Sequence, residues 1–215
     1  MGRECVVLLH GLGRTSRSMR SLQRSLENNE FCVCNKNYPS TKKSVEELSH
    51  VVGEAIAQCA LKNATPIHFV THSLGGILIR HYFQNHSSQN IGRVVMLGPP
   101  NHGSEIVDRC RNKWWFKLAT GPSGQELGTE AISIPNSLKH INLEVGVIAG
   151  RKSSDPWFSP FFTGENDGKV SVASARLEGM KDFLVVDSGH TFMVNSKEAC
   201  RQTVMFLKTG KFEKT

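Results

Sequence analysis

The chain has 215 residues, 39% of them hydrophobic, and a formal net charge of +7 from 26 Lys and Arg against 19 Asp and Glu. This size supports one hydrophobic core, so we expect a single domain over residues 1–215. No apolar run reaches the roughly 18 residues that a membrane-spanning helix needs, and no nucleic-acid-binding motif accompanies the dispersed basic residues, which argues against both classes.

Strand-like and helix-like patterns alternate along the chain. Short apolar runs predict strands at 5–9, 31–35, 67–70, 93–98, 144–150 and 183–187. Helical periodicity predicts helices from Ser16, from Ser44, over 77–83 and from Ser196 to Lys208. Ser44 with Glu47 three residues later forms a capping box. Apolar strands separated by helices are typical of a mostly parallel sheet with helices on both faces, so the predicted fold class is α/β.

Polar residues follow the carboxyl ends of several predicted strands. His10, Ser73, Arg151 and His190 each come directly or shortly after such a strand. Right-handed crossovers place these strand ends on one edge of a parallel sheet, where the sites of α/β proteins form. We therefore expect a functional site at that edge.

Residues 71–76 read T-H-S-L-G-G and lie between a predicted strand and a predicted helix. This is the G-x-S-x-G pattern of a nucleophile elbow with Thr71 in place of the first glycine. Gly75 supplies the small neighbour that so tight a turn requires. Ser73 is accordingly our candidate nucleophile, and the alternative is an ordinary serine that caps a helix.

A serine nucleophile needs a base, and the base needs a carboxylate. His190 follows the last predicted strand and comes after every candidate acid, which matches the hydrolase order of serine, acid and histidine. Asp167, in a loop after the strand at 144–150, is our candidate acid. Asp155, Glu165 and Asp187 are the competitors, and Asp155 is the main one. Asp187 ends a strand next to His190 and better suits a supporting role.

The negative charge that develops on an acyl oxygen needs preorganised N–H donors. The residue after the nucleophile, Leu74, supplies one of them. The glycine-rich loop after the first strand supplies the other, and we choose the Leu12 amide with Gly11 and Gly13 as alternatives. A dinucleotide-binding loop would need a third glycine in the G-x-G-x-x-G pattern, which this loop lacks.

No metal or other cofactor is expected. The histidines at 68, 72, 81 and 86 do not form an H-x-x-x-H pair with a glutamate partner, and the six cysteines contain no C-x-x-C pair. Most of these cysteines are predicted to be small buried hydrophobic residues in a reducing compartment. Because the N-terminal run also lacks the features of a signal peptide, we expect a cytoplasmic protein. A mildly basic surface leaves weak contact with an anionic membrane open, and the oligomeric state is unspecified.

The irregular part of the chain runs from about Trp114 to Pro135, within a possible cap or pocket-wall insertion at 108–135. It combines large aromatic residues at 114–116 with glycine and proline at 121–124. This composition suits a small cap or the wall of an acyl pocket, with Trp115 and Phe116 as candidate substrate-binding residues. The alternative is a short helix that packs on the core, followed by a long loop.

Taken together, the chain resembles the α/β-hydrolase superfamily, and within it the small lipase and esterase branch. The matching segments are V-V-L-L-H-G-L-G at 6–13, T-H-S-L-G-G at 71–76, G-P-P-N-H-G-S at 98–104, N-D-G-K-V at 166–170 and S-G-H at 188–190.

The resemblance implies Ser73 as nucleophile, Asp167 as acid and His190 as base, with oxyanion-hole amides at Leu12 and Leu74. It also implies that Asn101 and His102 lie beside the pocket. The expected activity is hydrolysis of carboxylic esters of small or lipid-like molecules through an acyl-enzyme. An acyltransferase or thioesterase with the same triad is the alternative, followed by a non-catalytic binding protein that retains the fold.

Overall fold

The computed structural model describes residues 3–87, 89–153 and 155–213. Within these ranges six strands form one sheet in the order β2-β1-β3-β4-β5-β6, and every neighbouring pair is parallel. The strands are β1 (Cys5–Leu9), β2 (Cys32–Lys36), β3 (Ile67–His72), β4 (Ile91–Leu97), β5 (Val145–Gly150) and β6 (Asp182–Val186). The predicted α/β class with a mostly parallel sheet is confirmed.

Eight α-helices connect and cover these strands in the described ranges. They are α1 (Arg20–Glu27), α2 (Val45–Ala60), α3 (Leu74–Asn85), α4 (Glu105–Cys110), α5 (Trp114–Gln125), α6 (Ile134–Ser137), α7 (Val172–Ala175) and α8 (Lys197–Thr209). Short 3-10 turns cover Ser16–Met19, Pro156–Phe161 and Met193–Asn195.

Burial of the strands explains why their sequences are continuously apolar. Every residue of β1, β3 and β5 is buried, whereas the edge strands β2 and β6 are mostly half-buried. Side chains of one sheet face pack with α2 and α3, and those of the other pack with α1 and α8. A sheet covered on both faces must be apolar on both faces, and the alternation of a half-exposed sheet is therefore missing.

Helix ends follow local chemistry. Ser44 and Glu47 form both bonds of the predicted capping box at the start of α2. Helix α8 ends at Gly210, whose left-handed backbone (φ 76°) suits glycine. These signals are local, and for that reason the predicted start of α2 and both predicted ends of α8 agree with the structure to within one or two residues, whereas α3 begins three residues before the predicted 77–83.

The cysteines do not form disulfides. Cys5, Cys34, Cys59, Cys110 and Cys200 are buried, and Cys32 is half-buried. Cys5 Sγ lies 3.3 Å from Cys59 Sγ between β1 and α2. In the described ranges, none of the helices has the length and apolar character to span a bilayer.

Candidate active site

Ser73 stands between β3 and α3 with a backbone that L-residues rarely adopt, at φ 51° and ψ −119°. Its amide donates to the Leu97 carbonyl oxygen at 2.9 Å, which fixes the turn to β4. At Gly75 a Cβ atom would lie 2.7 Å from the Leu9 carbonyl oxygen, so only glycine fits. The Ser73 side chain makes no capping hydrogen bond, contrary to the helix-cap alternative. A strained residue held this firmly is typical of a functional turn.

Thr71 occupies the position of the first glycine of the motif without distortion. It lies within β3 and is fully buried, so the backbone there is extended and no glycine is needed. The departure from the glycine pattern therefore leaves the turn intact.

His190 and Asp167 form a buried pair. His190 Nδ1–H donates to Asp167 Oδ2 at 2.7 Å, and the His190 amide donates to the Asp167 carbonyl oxygen at 2.9 Å. The other carboxylate oxygen of Asp167 accepts the amides of Lys169 and Val170 at 3.0 and 2.8 Å. Hydrogen bonds thus hold both oxygens of the carboxylate. Since Nδ1 of His190 is bonded to Asp167, Nε2 is the ring nitrogen left to act as a base.

Gly98, directly after β4, makes room for this pair. Its φ is 53°, and a Cβ atom there would lie 3.0 Å from Asp167 Oδ2 and 3.1 Å from His190 Nδ1. Both the backbone and the space therefore require glycine. The sequence analysis did not single out this residue, although its place at a strand end was a usable signal.

The competing carboxylates are engaged elsewhere. Asp155 Oδ2 accepts Lys169 Nζ at 3.1 Å, and Asp187 pairs with Arg151 at 2.5 Å and Lys152 at 3.1 Å. These partners keep the pKa of the Asp187 carboxyl below its usual value. Among these three carboxylates, Asp167 is the one that the structure brings to His190.

His10 and Tyr38 stabilise the loop after β1. The two rings stack at 4.0 Å, His10 Nδ1–H donates to the Gly11 carbonyl oxygen at 2.9 Å, and the Tyr38 hydroxyl donates to the His10 carbonyl oxygen. Burial lowers the pKa of His10, which keeps its ring neutral. No sequence motif marked Tyr38, because its role depends on contact with His10 from a distant segment of the chain.

Backbone amides of this loop differ in their availability. The Gly13 amide donates to Ser40 Oγ at 3.0 Å, whereas the Leu12 amide has no hydrogen-bond partner among the described residues. Gly11, Leu12 and Gly13 all line the cavity beside Ser73, so the engagement of the Gly13 amide with Ser40 is what distinguishes them. The geometry thus favours Leu12 or Gly11 over Gly13 as an oxyanion donor, alongside Leu74 at the start of α3.

His72 supports the loop that carries His190. Its Nε2–H donates to the His190 carbonyl oxygen at 3.0 Å, and the two rings lie 4.8 Å apart. Complete burial, with the neighbouring His190 as a smaller cause, lowers the pKa of His72 well below its usual value. His72 is therefore a neutral hydrogen-bond donor rather than a second base.

Ser73 and His190 open into an apolar cavity of about 290 Å³. Trp115 and Phe116, the candidate substrate-binding residues, line it from α5. Helix α5 bends at Gly121 (φ 63°), where a Cβ atom would collide with the Thr41 carbonyl oxygen. Of the segment expected to be irregular, residues 114–125 thus form a bent helix that walls the cavity, and a non-helical stretch follows as far as α6. Other lining residues, which the sequence analysis did not identify, include Ile106, Val107, Leu127, Phe158 and Val170.

Asn101 and His102 do not line this cavity, contrary to expectation. Asn101 is fully buried, and its Nδ2 donates to the Ala175 carbonyl oxygen at 2.9 Å. The Asn101 carbonyl oxygen accepts buried Arg80 at 2.8 Å. His102 is exposed and contacts Asn136 at 3.1 Å. Both residues shape the loop beyond β4 from outside the pocket, because their side chains turn away from Ser73.

A larger groove of about 670 Å³ lies between α1 and α8. Its lining is mainly polar and charged, and it contains none of the candidate catalytic residues. The smaller apolar cavity is therefore the candidate active site. In the parts of the chain that the structure describes, no group of three or more His, Cys, Asp or Glu side chains is arranged to hold a metal ion.

Solved structures of lipases and esterases are among those that share this fold. The mature Bacillus licheniformis lipase BlEst2 aligns with a TM-score of 0.80 and 18% identity, over 97% of this chain and 92% of that one. The phospholipase PlaB from Legionella pneumophila aligns with a TM-score of 0.75 and 17% identity, over 98% of this chain and 60% of that one. The metagenomic carboxyl esterase MGS0156 aligns with a TM-score of 0.70 and 15% identity, over 88% and 66%.

Sequence comparison adds the family. No curated protein matches the chain significantly. A family model described as palmitoyl protein thioesterase matches residues 5–141, which is more than half of the chain and includes Ser73 and the loop after β1. Asp167 and His190 lie outside the matched range. With its fold shared by lipases and esterases, the chain is an α/β-hydrolase that belongs to the palmitoyl protein thioesterase family.

Proposed function

We propose that this protein is a serine hydrolase that cleaves acyl esters and thioesters through a covalent acyl-enzyme. The observation that carries the proposal is the shared apolar cavity onto which strained Ser73 and Asp167-bonded His190 both open. The family supports thioester substrates, and the lipase and esterase relatives of the fold support oxygen esters.

Acylation begins at Ser73. Its Oγ attacks the acyl carbonyl carbon while its proton passes to His190 Nε2, since Nδ1 is already bonded to Asp167. The carbonyl oxygen becomes an oxyanion that accepts the amides of Leu12 and Leu74. Each such donor is worth about 3 kcal/mol of transition-state stabilisation.

The reaction is completed in three proton transfers. His190 returns the proton to the departing sulfur or oxygen as its bond to the acyl carbon breaks, which leaves the acyl group on Ser73 Oγ. Water then attacks the acyl-enzyme and gives a proton to His190 as general base. Collapse of this second intermediate breaks the bond between the acyl carbon and Ser73 Oγ, which takes the proton back from His190 as the carboxylic acid leaves.

The cavity lining favours an apolar acyl chain. Each methylene group buried there contributes about 0.8 kcal/mol, equivalent to about a fourfold gain in kcat/KM per methylene until the cavity is full. Ala119 lines the cavity from an exposed position on α5. An Ala119→Phe substitution should therefore shorten the preferred chain while leaving the fold intact.

A matched series of p-nitrophenyl esters and acyl thioesters, from two to sixteen carbons, tests the proposal. We expect turnover that rises with chain length, is lost in Ser73→Ala, and reaches its plateau at shorter chains in Ala119→Phe. Turnover that is equal in the wild type and Ser73→Ala would contradict the proposal.

Two matched variants test the assignment of Asp167 as the acid. Asp167→Asn should lower kcat by about 10⁴-fold, because the amide cannot hold the imidazole in the required tautomer. Asp155→Asn removes only an ion pair with Lys169 and should leave kcat nearly unchanged. The reverse result would move the acid to Asp155.

A further inference from the structure

Exposed aromatic and aliphatic side chains surround the mouth of the cavity. On α5, Trp114 is 75% exposed and Leu118 is 78% exposed. Their i, i+4 spacing places them side by side, next to the cavity-lining residues Trp115 and Ala119. Large apolar side chains exposed singly are ordinary on a protein surface, but a contiguous group is not.

Two other segments extend this group. Exposed Phe192 directly follows Thr191, and exposed Trp157 directly precedes Phe158, and both neighbours line the cavity. Five of the seven large hydrophobic side chains that are exposed in the described ranges thus either line the cavity, as Trp115 does, or directly adjoin a lining residue in the sequence. We call this group the aromatic rim, and it consists of Trp114, Trp115, Leu118, Trp157 and Phe192.

Cations accompany the aromatic rim. Lys113 and Lys117 lie on the first turns of α5, and Arg109 lies at the end of α4; all three are exposed. None of them forms an ion pair within the described part of the chain. The neighbouring acids Asp108 and Glu130 are paired with Arg111 instead. The surface around the rim therefore has uncompensated positive charge.

We propose that the aromatic rim seats the protein on an anionic lipid bilayer, with the mouth of the cavity facing the membrane. Tryptophan prefers the interface between headgroups and acyl chains, and flanking lysines pair with anionic headgroups. The rim is continuous with the apolar cavity, so an acyl chain leaving the bilayer would stay in contact with apolar side chains until it reaches Ser73. That use of the surface rests on the proposed function, but adsorption itself does not.

Binding of the Ser73→Ala protein to vesicles tests the proposal without turnover of lipid. Phosphatidylcholine vesicles are compared with vesicles that also contain phosphatidylserine, by co-sedimentation at low and high salt. We expect binding to the mixed vesicles that weakens with salt. Lys113→Gln and Lys117→Gln, introduced into the Ser73→Ala protein, should each weaken its affinity for the mixed vesicles about fivefold. They should leave its affinity for phosphatidylcholine vesicles unchanged.

A double substitution, Trp114→Ser with Leu118→Ser, should weaken binding at least tenfold. Leu61→Ser is the matched control, because Leu61 is 87% exposed at the end of α2, and it should bind as before. In the wild-type background the double variant should hydrolyse a short soluble ester normally, which shows that it is folded. Equal binding by the double variant and the control, or binding to neither vesicle, would overturn the proposal.

Two further results separate this inference from the proposed function. Vesicle binding in a protein that hydrolyses no ester or thioester would leave the docking surface standing and refute the function. Ester turnover without vesicle binding would support the proposed function and refute the docking surface. Self-association that disappears in the double variant would assign the rim to a second copy of the chain and overturn the membrane proposal.

Discussion

Gly98→Ala should impair catalysis far more than it impairs folding. The added Cβ would lie 3.0 Å from Asp167 Oδ2 and 3.1 Å from His190 Nδ1, against a bond of 2.7 Å between them. The side chains of Asp167 and His190 must therefore shift by a few tenths of an ångström. Since a displacement of 1 Å in an active site can cost about 10²-fold in rate, we expect kcat to fall by about tenfold to a hundredfold.

The backbone contributes a separate and measurable cost. Alanine in a left-handed conformation costs about 1–2 kcal/mol, which corresponds to a Tm lower by about 2–8 °C for a chain of this length. Gly164→Ala is the matched control, since Gly164 also has a positive φ of 108° but no atom within 4 Å of an added Cβ. Its Tm should fall, and its kcat should not.

The assay combines kcat on a soluble ester with thermal unfolding of the wild type and both variants. A Gly98→Ala protein that unfolds at a lower temperature yet keeps full kcat would refute the reasoning. An equal loss of kcat in Gly164→Ala would show that backbone strain, rather than contact with the acid–base pair, controls activity.

Three other predictions concern stability. Arg80→Met should lower the free energy of unfolding by about 3–5 kcal/mol, because it leaves the carbonyl oxygens that Arg80 bonds without a donor. Urea titration measures this, and an unchanged midpoint of unfolding would contradict it. Gly75→Ala should prevent folding or lower Tm sharply, since its Cβ would lie 2.7 Å from the Leu9 carbonyl oxygen, and a normal Tm would refute that packing. The pKa of His72 is lowered in the folded state, so below about pH 6.5 the unfolded state binds the proton more readily and the free energy of unfolding falls as the pH falls. His72 should lower the free energy of unfolding by about 1.4 kcal/mol at pH 5.5. His72→Gln should make the free energy of unfolding less dependent on pH.

Much of the fold and of the site geometry was accessible from the sequence because the relevant signals are local. Continuous apolar runs predicted the six strands, and Ser44 with Glu47 predicted the start of a helix. The order of Ser73, Asp167 and His190 along the chain predicted that the ends of different strands would bring them to one edge. The structure places His190 on Asp167, although their catalytic roles remain proposals.

The remaining features depend on contacts between distant segments. Gly121 and its neighbouring proline favoured a loop, but α5 bends there because Gly121 packs directly on the Thr41 carbonyl oxygen. Asn101 seemed a pocket neighbour by its place in the motif, yet buried Arg80 engages its carbonyl oxygen and its amide turns to Ala175. Sequence spacing fixes which loop a residue occupies but not the direction of its side chain.

The central claim is that Ser73 is an activated nucleophile. A fluorophosphonate probe, followed by peptide mapping with mass spectrometry, tests this most directly because the probe forms a covalent bond with a catalytic serine. We expect one adduct per chain, located on Ser73, slowed by a competing long-chain acyl thioester and abolished in Ser73→Ala. An adduct on another residue, or equal labelling of the Ser73→Ala protein, would contradict it.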